Sequence, residues 1–95
     1  LNTLCKFQSS LSVIVLYFAQ SKDLTGLKVE EISPVPTPIS SGDLWGLLLQ
    51  RHPRLSILQD HVVLAWRDLY IPIGEEEVPL RDGDEVAVVP PLSGG

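Results

Sequence analysis

A chain of 95 residues is the size of one small domain and leaves no room for a second hydrophobic core. With 44% hydrophobic and 20% charged residues it has the composition of a folded globule, not of a disordered tail. Seven basic against twelve acidic side chains leave a net charge of -5, which disfavours a nucleic-acid partner, because phosphate binding needs a cationic footprint. The longest apolar run, 13–19, is seven residues. A membrane-spanning helix needs about 20, so no membrane role is expected. One cysteine, Cys5, excludes an intrachain disulfide and a Cys-rich zinc site. Together with a start that lacks the secretory pattern, it predicts a soluble protein of the reducing cytosol. The sequence holds no methionine, so Leu1 reads as a trimmed start.

Residues 1–10 show no period and are expected to form a loose extension. The stretch 11–18 is rich in β-branched and aromatic residues and too continuously apolar for a surface helix. It predicts a central strand buried on both faces. After the turn signal Thr25-Gly26, residues 27–32 alternate apolar and charged, as a half-exposed strand does, and the short spacing suggests a hairpin. Pro34, Pro36 and Pro38 predict a stiff connector that enters neither helix nor central strand. Ser40 followed three residues later by Asp43 resembles a capping box. Leu44, Leu47, Leu48 and Arg51 then recur at helical spacing, until Pro53 ends the helix at His52. Three strands follow, at 62–66, 69–71 and 85–89, with Arg67-Asp68 and Asp82-Gly83 as turns and Pro90-Pro91 as the stop. The order β-β-α-β-β-β predicts an α+β two-layer domain over 11–89, with one helix on a sheet of four or five strands.

Six carboxylates, Glu75, Glu76, Glu77, Asp82, Asp84 and Glu85, surround the single cation Arg81. They read either as a solvated turn region or as a patch that steers a basic partner toward the uncharged residues 86–95.

Enzyme constellations are not found. His52 and His61 are nine apart with Pro53 between them, which is no zinc spacing. His52 is expected at the negative end of the helix dipole. Cys5 lies outside the predicted elements, with no base in view. Single, scattered glycines form no phosphate loop, and Trp45 and Trp66 read as core or interface anchors. The informative feature is the end of the sequence, Pro90-Pro91-Leu92-Ser93-Gly94-Gly95. Extended, these six residues reach roughly 20 Å, and glycine lets the backbone enter a narrow channel. Such a tail presents an α-carboxylate. A carboxylate becomes a useful electrophile only as an acyl-adenylate, from which a sulfur or nitrogen nucleophile displaces AMP. The tail then serves as a substrate handle for other enzymes.

The stretch from Leu80 to Gly95, with Asp82-Gly83-Asp84-Glu85-Val86 and Pro90-Pro91-Leu92-Ser93-Gly94-Gly95, closely resembles the end of the sulfur-carrier (small) subunits of molybdopterin synthase. Leu16-Tyr17-Phe18-Ala19 with Leu24-Thr25-Gly26, and Leu44-Trp45 with Arg51-His52-Pro53, resemble the same family, closest to its eukaryotic members. The resemblance covers about residues 11–95.

It implies a ubiquitin-like β-grasp fold with no catalytic set and no metal of its own. It further implies that an E1-like enzyme adenylates Gly95 with ATP, AMP being held only transiently, and that a rhodanese-type persulfide converts it to a thiocarboxylate. The tail then enters the large subunit, within a heterotetramer, and gives its sulfur to cyclic pyranopterin monophosphate. Gly94 permits threading, and Leu92 anchors at the channel mouth. Phe18 matches an interface aromatic of the bacterial relative, plain core packing being its other reading. Val89 stands where that relative has an aromatic, and Lys22 where it has an arginine that would face partner carboxylates. Three other readings of the tail remain: a ubiquitin-like modifier joined to lysines through Gly95, a carrier of the thiamine or tRNA pathway, and a β-grasp interaction domain whose tail is inert. Ser93 speaks against the modifier, since modifiers usually place arginine before the glycine pair.

Overall fold

The central strand is made by the most β-prone stretch of the chain. The structure, a computed structural model, describes residues 9–90. Of the loose extension expected at residues 1–10, Ser9 and Ser10 instead belong to a strand, while residues 1–8, with Cys5, lie outside the described residues, as do Pro91 to Gly95. Strand β1 (Ser9–Tyr17) is antiparallel to β2 (Val29–Thr37) on one side and parallel to β7 (Glu85–Val89) on the other. Strand β4 (Val63–Trp66) pairs antiparallel with β7 and with β5 (Leu69–Pro72), giving a five-stranded mixed sheet of order β2-β1-β7-β4-β5. Two short strands, β3 (Ile39–Ser40) and β6 (Glu77–Val78), form a separate pair.

One face of the sheet carries the core. Val13, Val15 and Tyr17 of β1, Val86 and Val88 of β7, and Leu64 and Trp66 of β4 share a buried cluster with Leu44, Trp45 and Leu48 of α2 (Ser41–Arg51). β1 was expected to be buried on both faces; it alternates instead, with Ile14 and Leu16 only half-buried. The reason is that a single helix layer covers a single face.

Helix α2 starts as the sequence predicts, with the Ser40 hydroxyl accepting from the Asp43 amide at 3.0 Å. Its first turn is tied to the sheet: the Ser41 hydroxyl donates to the Pro72 carbonyl and accepts from the Gly74 amide, both at 2.8 Å. Gly42 closes this joint, because a Cβ there would lie 2.8 Å from the Gly74 carbonyl oxygen. Pro53 ends α2 and opens a 3-10 turn, Pro53–Leu58, that buries Leu55 and Leu58.

Two expectations are corrected. The proline connector belongs to the sheet, since β2 runs on to Thr37. Proline is tolerated there because β2 is an edge strand, and Pro34 falls where the β1–β2 register slips. The intended hairpin loop between β1 and β2 contains a helix, α1 (Gln20–Thr25), closed by Gly26 in the left-handed conformation at φ 78°. Arg67 and Asp68 do form the tight turn, with φ of 53° and 66°, as the two-residue hairpin between Trp66 and Leu69 requires.

Candidate functional site

The face of the sheet opposite α2 is not covered by any described element, and its outward residues are mostly apolar. Pairing across the five strands aligns Val29, Leu16, Ala87, Ala65 and Tyr70 in one row. The next row contains Val89 and Val63, and continuing the register of β1 by one residue sets Phe18 beside Val89. Phe18, Val29 and Tyr70 are 50%, 51% and 74% exposed. Exposed apolar side chains grouped in this way are the feature by which interaction surfaces are sought on a folded domain. Core packing of Phe18 is thereby overturned: β1 has ended, and its last buried aromatic is Tyr17.

The patch holds two hollows that share Leu16. One, of about 420 Å³, lies among Phe18, Ala19, Val29, Lys22 and Lys28. The structure thus brings Phe18 and Lys22 together. The other, of about 320 Å³, lies among Ala65, Ala87, Tyr70, Arg67 and Glu85. The face is apolar in the middle, with cations at one end and mixed charge at the other. Val89 is half-buried on this same face, whereas Pro90 is buried, so the first residue of the expected tail still packs on the domain. The remaining tail residues, Pro91, Leu92, Ser93, Gly94 and Gly95, lie outside the described residues. Lys28, Leu16, Ala65 and Tyr70 were not singled out as site residues in the sequence; the signal for Leu16, Ala65 and Tyr70 was the outward phase of their strands, whereas Lys28 lies in the bend before β2.

The acidic run is less uniform than its charge implied. Asp84 accepts from Trp66 Nε1 at 3.0 Å, from the Arg81 amide at 2.9 Å and from Arg67 at 3.2 Å, and the Asp82 carboxylate accepts the Ser12 amide at 2.8 Å. These two carboxylates build the turn into β7, while Glu75, Glu76, Glu77 and Glu85 are exposed.

On the core side of β2, Glu30 receives the Tyr17 hydroxyl at 2.9 Å, His52 Nε2 at 2.8 Å and Arg51 at 3.3 Å. His52, expected only to face the helix dipole, is thus a hydrogen-bond partner that also meets the Tyr17 ring edge-on at 5.7 Å. Burial works to raise the Glu30 pKa, but the hydrogen bonds from His52 and Tyr17 and the nearby cations outweigh it and hold it below the usual glutamate value. Burial, then Glu30, push the Tyr17 hydroxyl far above its ordinary range. A carboxylate with a depressed folded-state pKa adds stability above its unfolded pKa, and that stability is lost as pH falls through the folded value. The domain is therefore expected to lose stability below about pH 4.5, the unperturbed glutamate value. Glu30→Gln should cost roughly 1–3 kcal/mol at neutral pH and flatten the acid limb, as read by thermal melts from pH 3 to pH 7.

Among the described residues, no three His, Cys, Asp or Glu side chains group as a metal site, and no helix is long and apolar enough to cross a membrane. What the geometry offers is an open apolar face on the side of the sheet away from α2, with β7 running along it as far as Val89.

The mixed five-stranded sheet with α2 packed on one face defines a ubiquitin-like β-grasp domain, and comparison with known proteins agrees. The ThiS family model matches residues 15–95. The human molybdopterin synthase sulfur carrier subunit is 43% identical over 83 residues, covering 87% of this chain and 93% of that protein. The Drosophila erecta protein of the same name is 40% identical over 85 residues, covering 90% and 92%. Among solved structures, a Pyrococcus furiosus protein assigned as molybdopterin converting factor subunit 1 superposes with a TM-score of 0.71 at 33% identity, over 87% of this chain and all of that one. Small archaeal modifier protein 1 of Haloferax volcanii gives 0.71 at 27% identity, over 88% and 99%. The chain belongs to the ThiS family, and within it groups with the molybdopterin synthase sulfur carrier subunits.

Proposed function

We propose that this chain is the sulfur-carrier subunit of a molybdopterin synthase and acts through the carboxylate of Gly95. The observation that carries the reading is the similarity to curated carrier subunits along 87–90% of the chain, with a family match that runs through Gly95. The chemistry follows from what a carboxylate needs. Attack of the Gly95 carboxylate on the α-phosphate of ATP, in an E1-like partner, gives the acyl-adenylate and releases pyrophosphate. A persulfide of rhodanese type then places its terminal sulfur on the carbonyl carbon and expels AMP; reduction of the resulting acyl-disulfide by a thiol frees the thiocarboxylate. Two such deliveries, each returning a carboxylate, supply the two dithiolene sulfurs of the pterin product in the large subunit.

The domain's part is delivery. The apolar face around Phe18, Leu16, Ala87 and Tyr70 docks the large subunit, with Lys22 and Val89 at its margin. β7 fixes where the tail begins, Pro90 and Pro91 stiffen its root, Leu92 anchors it, and Ser93 and Gly94 thread. Residues 11–89 act as the carrier domain and 90–95 as its tail, in the cytosol. The test is the intact mass of the chain isolated from cells with the pathway active. Replacement of one oxygen by sulfur, located to Gly95 by fragmentation, is expected; an unmodified chain under those conditions overturns the reading.

A second reading, a protein modifier, is favoured by the likeness to the archaeal modifier protein. It predicts a ladder of covalent conjugates on a denaturing gel after co-expression with an E1-like enzyme.

A further inference from the structure

We propose that the buried hydroxyl of Ser21 is a latch that holds Phe18 in place on the docking face, an inference that rests on that face being the large-subunit interface. Ser21 is 0% exposed, and a fully buried hydroxyl is retained only where it is bonded. Its Oγ lies 2.6 Å from the Phe18 carbonyl oxygen and 3.4 Å from that of Val88. The same Phe18 carbonyl accepts the Ser21 amide at 3.0 Å, which closes a four-residue turn over Ala19 and Gln20.

That turn is strained. Ala19 has φ 53° and ψ -128°, the first central position of a type II′ turn, where glycine is the fitting residue. Ala19 also gives α1 no side-chain cap. The turn is therefore held by its neighbours, and the Ser21 hydroxyl is the side-chain group that, beside the Ser21 amide, grips the carbonyl preceding Ala19. Its second, longer contact is to Val88, the residue before Val89 and two before Pro90. One hydroxyl thus joins the loop bearing Phe18 to the strand that launches the tail. Without it, Ala19 relaxes toward ordinary backbone conformations and Phe18 leaves its place beside Val89. Ser21 touches no substrate; it is a positioning residue acting through Phe18.

The test is the affinity of the full chain for purified molybdopterin synthase large subunit, measured by calorimetry alongside thermal melts. Ser21→Ala should remain folded and bind roughly tenfold more weakly, the loss of about one hydrogen bond's worth of order. Ala19→Gly should bind as the natural chain does. The double variant Ala19→Gly/Ser21→Ala should regain most of the lost affinity, because glycine adopts the turn unaided. A hydroxyl that merely supported the fold would not be rescued in this way. Phe18→Ala serves as the reference. If Phe18→Ala binds weakly and Ser21→Ala normally, or if the double variant stays weak, the latch is overturned while the docking face stands. If Phe18→Ala also binds normally, the docking reading falls and the latch with it.

Discussion

A chain lacking only Gly95 is expected to form no thiocarboxylate and to support no pterin conversion, with an unchanged melting temperature. The expectation follows from reach. Deleting one residue withdraws the reactive carboxyl by roughly 3.3 Å in an extended tail, and a displacement of about 1 Å at a reacting atom already costs on the order of 100-fold in rate. Stability is expected to stay within about 0.5 kcal/mol, as for changes remote from the core, because Gly95 lies five residues beyond Pro90, the last buried position of the described residues. Gly94→Ala makes the finer test. It keeps the carboxyl at full reach but adds a Cβ where the backbone must thread, so transfer should fall about 100-fold or more with the melt again unmoved. Single-turnover conversion with thiocarboxylated carrier and large subunit measures both. Normal product formation by the shortened chain would falsify the role of Gly95, and a lowered melting temperature in either variant would show the tail to be part of the fold.

The parts of the fold that were legible are those fixed by local chemistry. Ser40 and Asp43 announce the start of α2, Pro53 its end, and Arg67-Asp68 the turn between β4 and β5, since each works through contacts a few residues apart. The short strands β3 and β6 were missed because two residues carry no period, and α1 because six residues form a helix only when tertiary contacts support them, here from the 3-10 turn and β1. β2 was misread for a more instructive reason. Its alternation suggested Leu27 and Val29 facing inward, yet Ile32 is out of phase with them. The structure resolves the conflict by turning Val29 out and Glu30 in, where Tyr17, Arg51 and His52 compensate the half-buried carboxylate. The site divided along the same line. The glycine-ended tail was plain from the sequence, as was Phe18 by resemblance. The face around it was not, because Leu16, Ala65 and Tyr70 become a patch only once five strands are aligned.

That two-faced sheet makes a sharp prediction at neighbouring positions. Leu64 and Ala65 are consecutive in β4 and point to opposite faces, as alternation in a strand demands. Leu64 is 1% exposed and sits between Val88 of β7 and Ile71 of β5. Leu64→Ala should therefore cost about 2–5 kcal/mol through lost burial and the cavity left behind. For a domain of this size that is a large share of the roughly 5–15 kcal/mol total, and it should lower the melting temperature on the order of 10–30 °C. Tyr70 lies in the row of Ala65, on the open face. Tyr70→Ala should leave stability within about 0.5 kcal/mol and weaken the large subunit's binding instead. The pair of variants separates what holds the domain together from what it presents. Were Leu64→Ala to melt like the natural chain, or Tyr70→Ala to unfold it, the assignment of core and docking face would have to be exchanged.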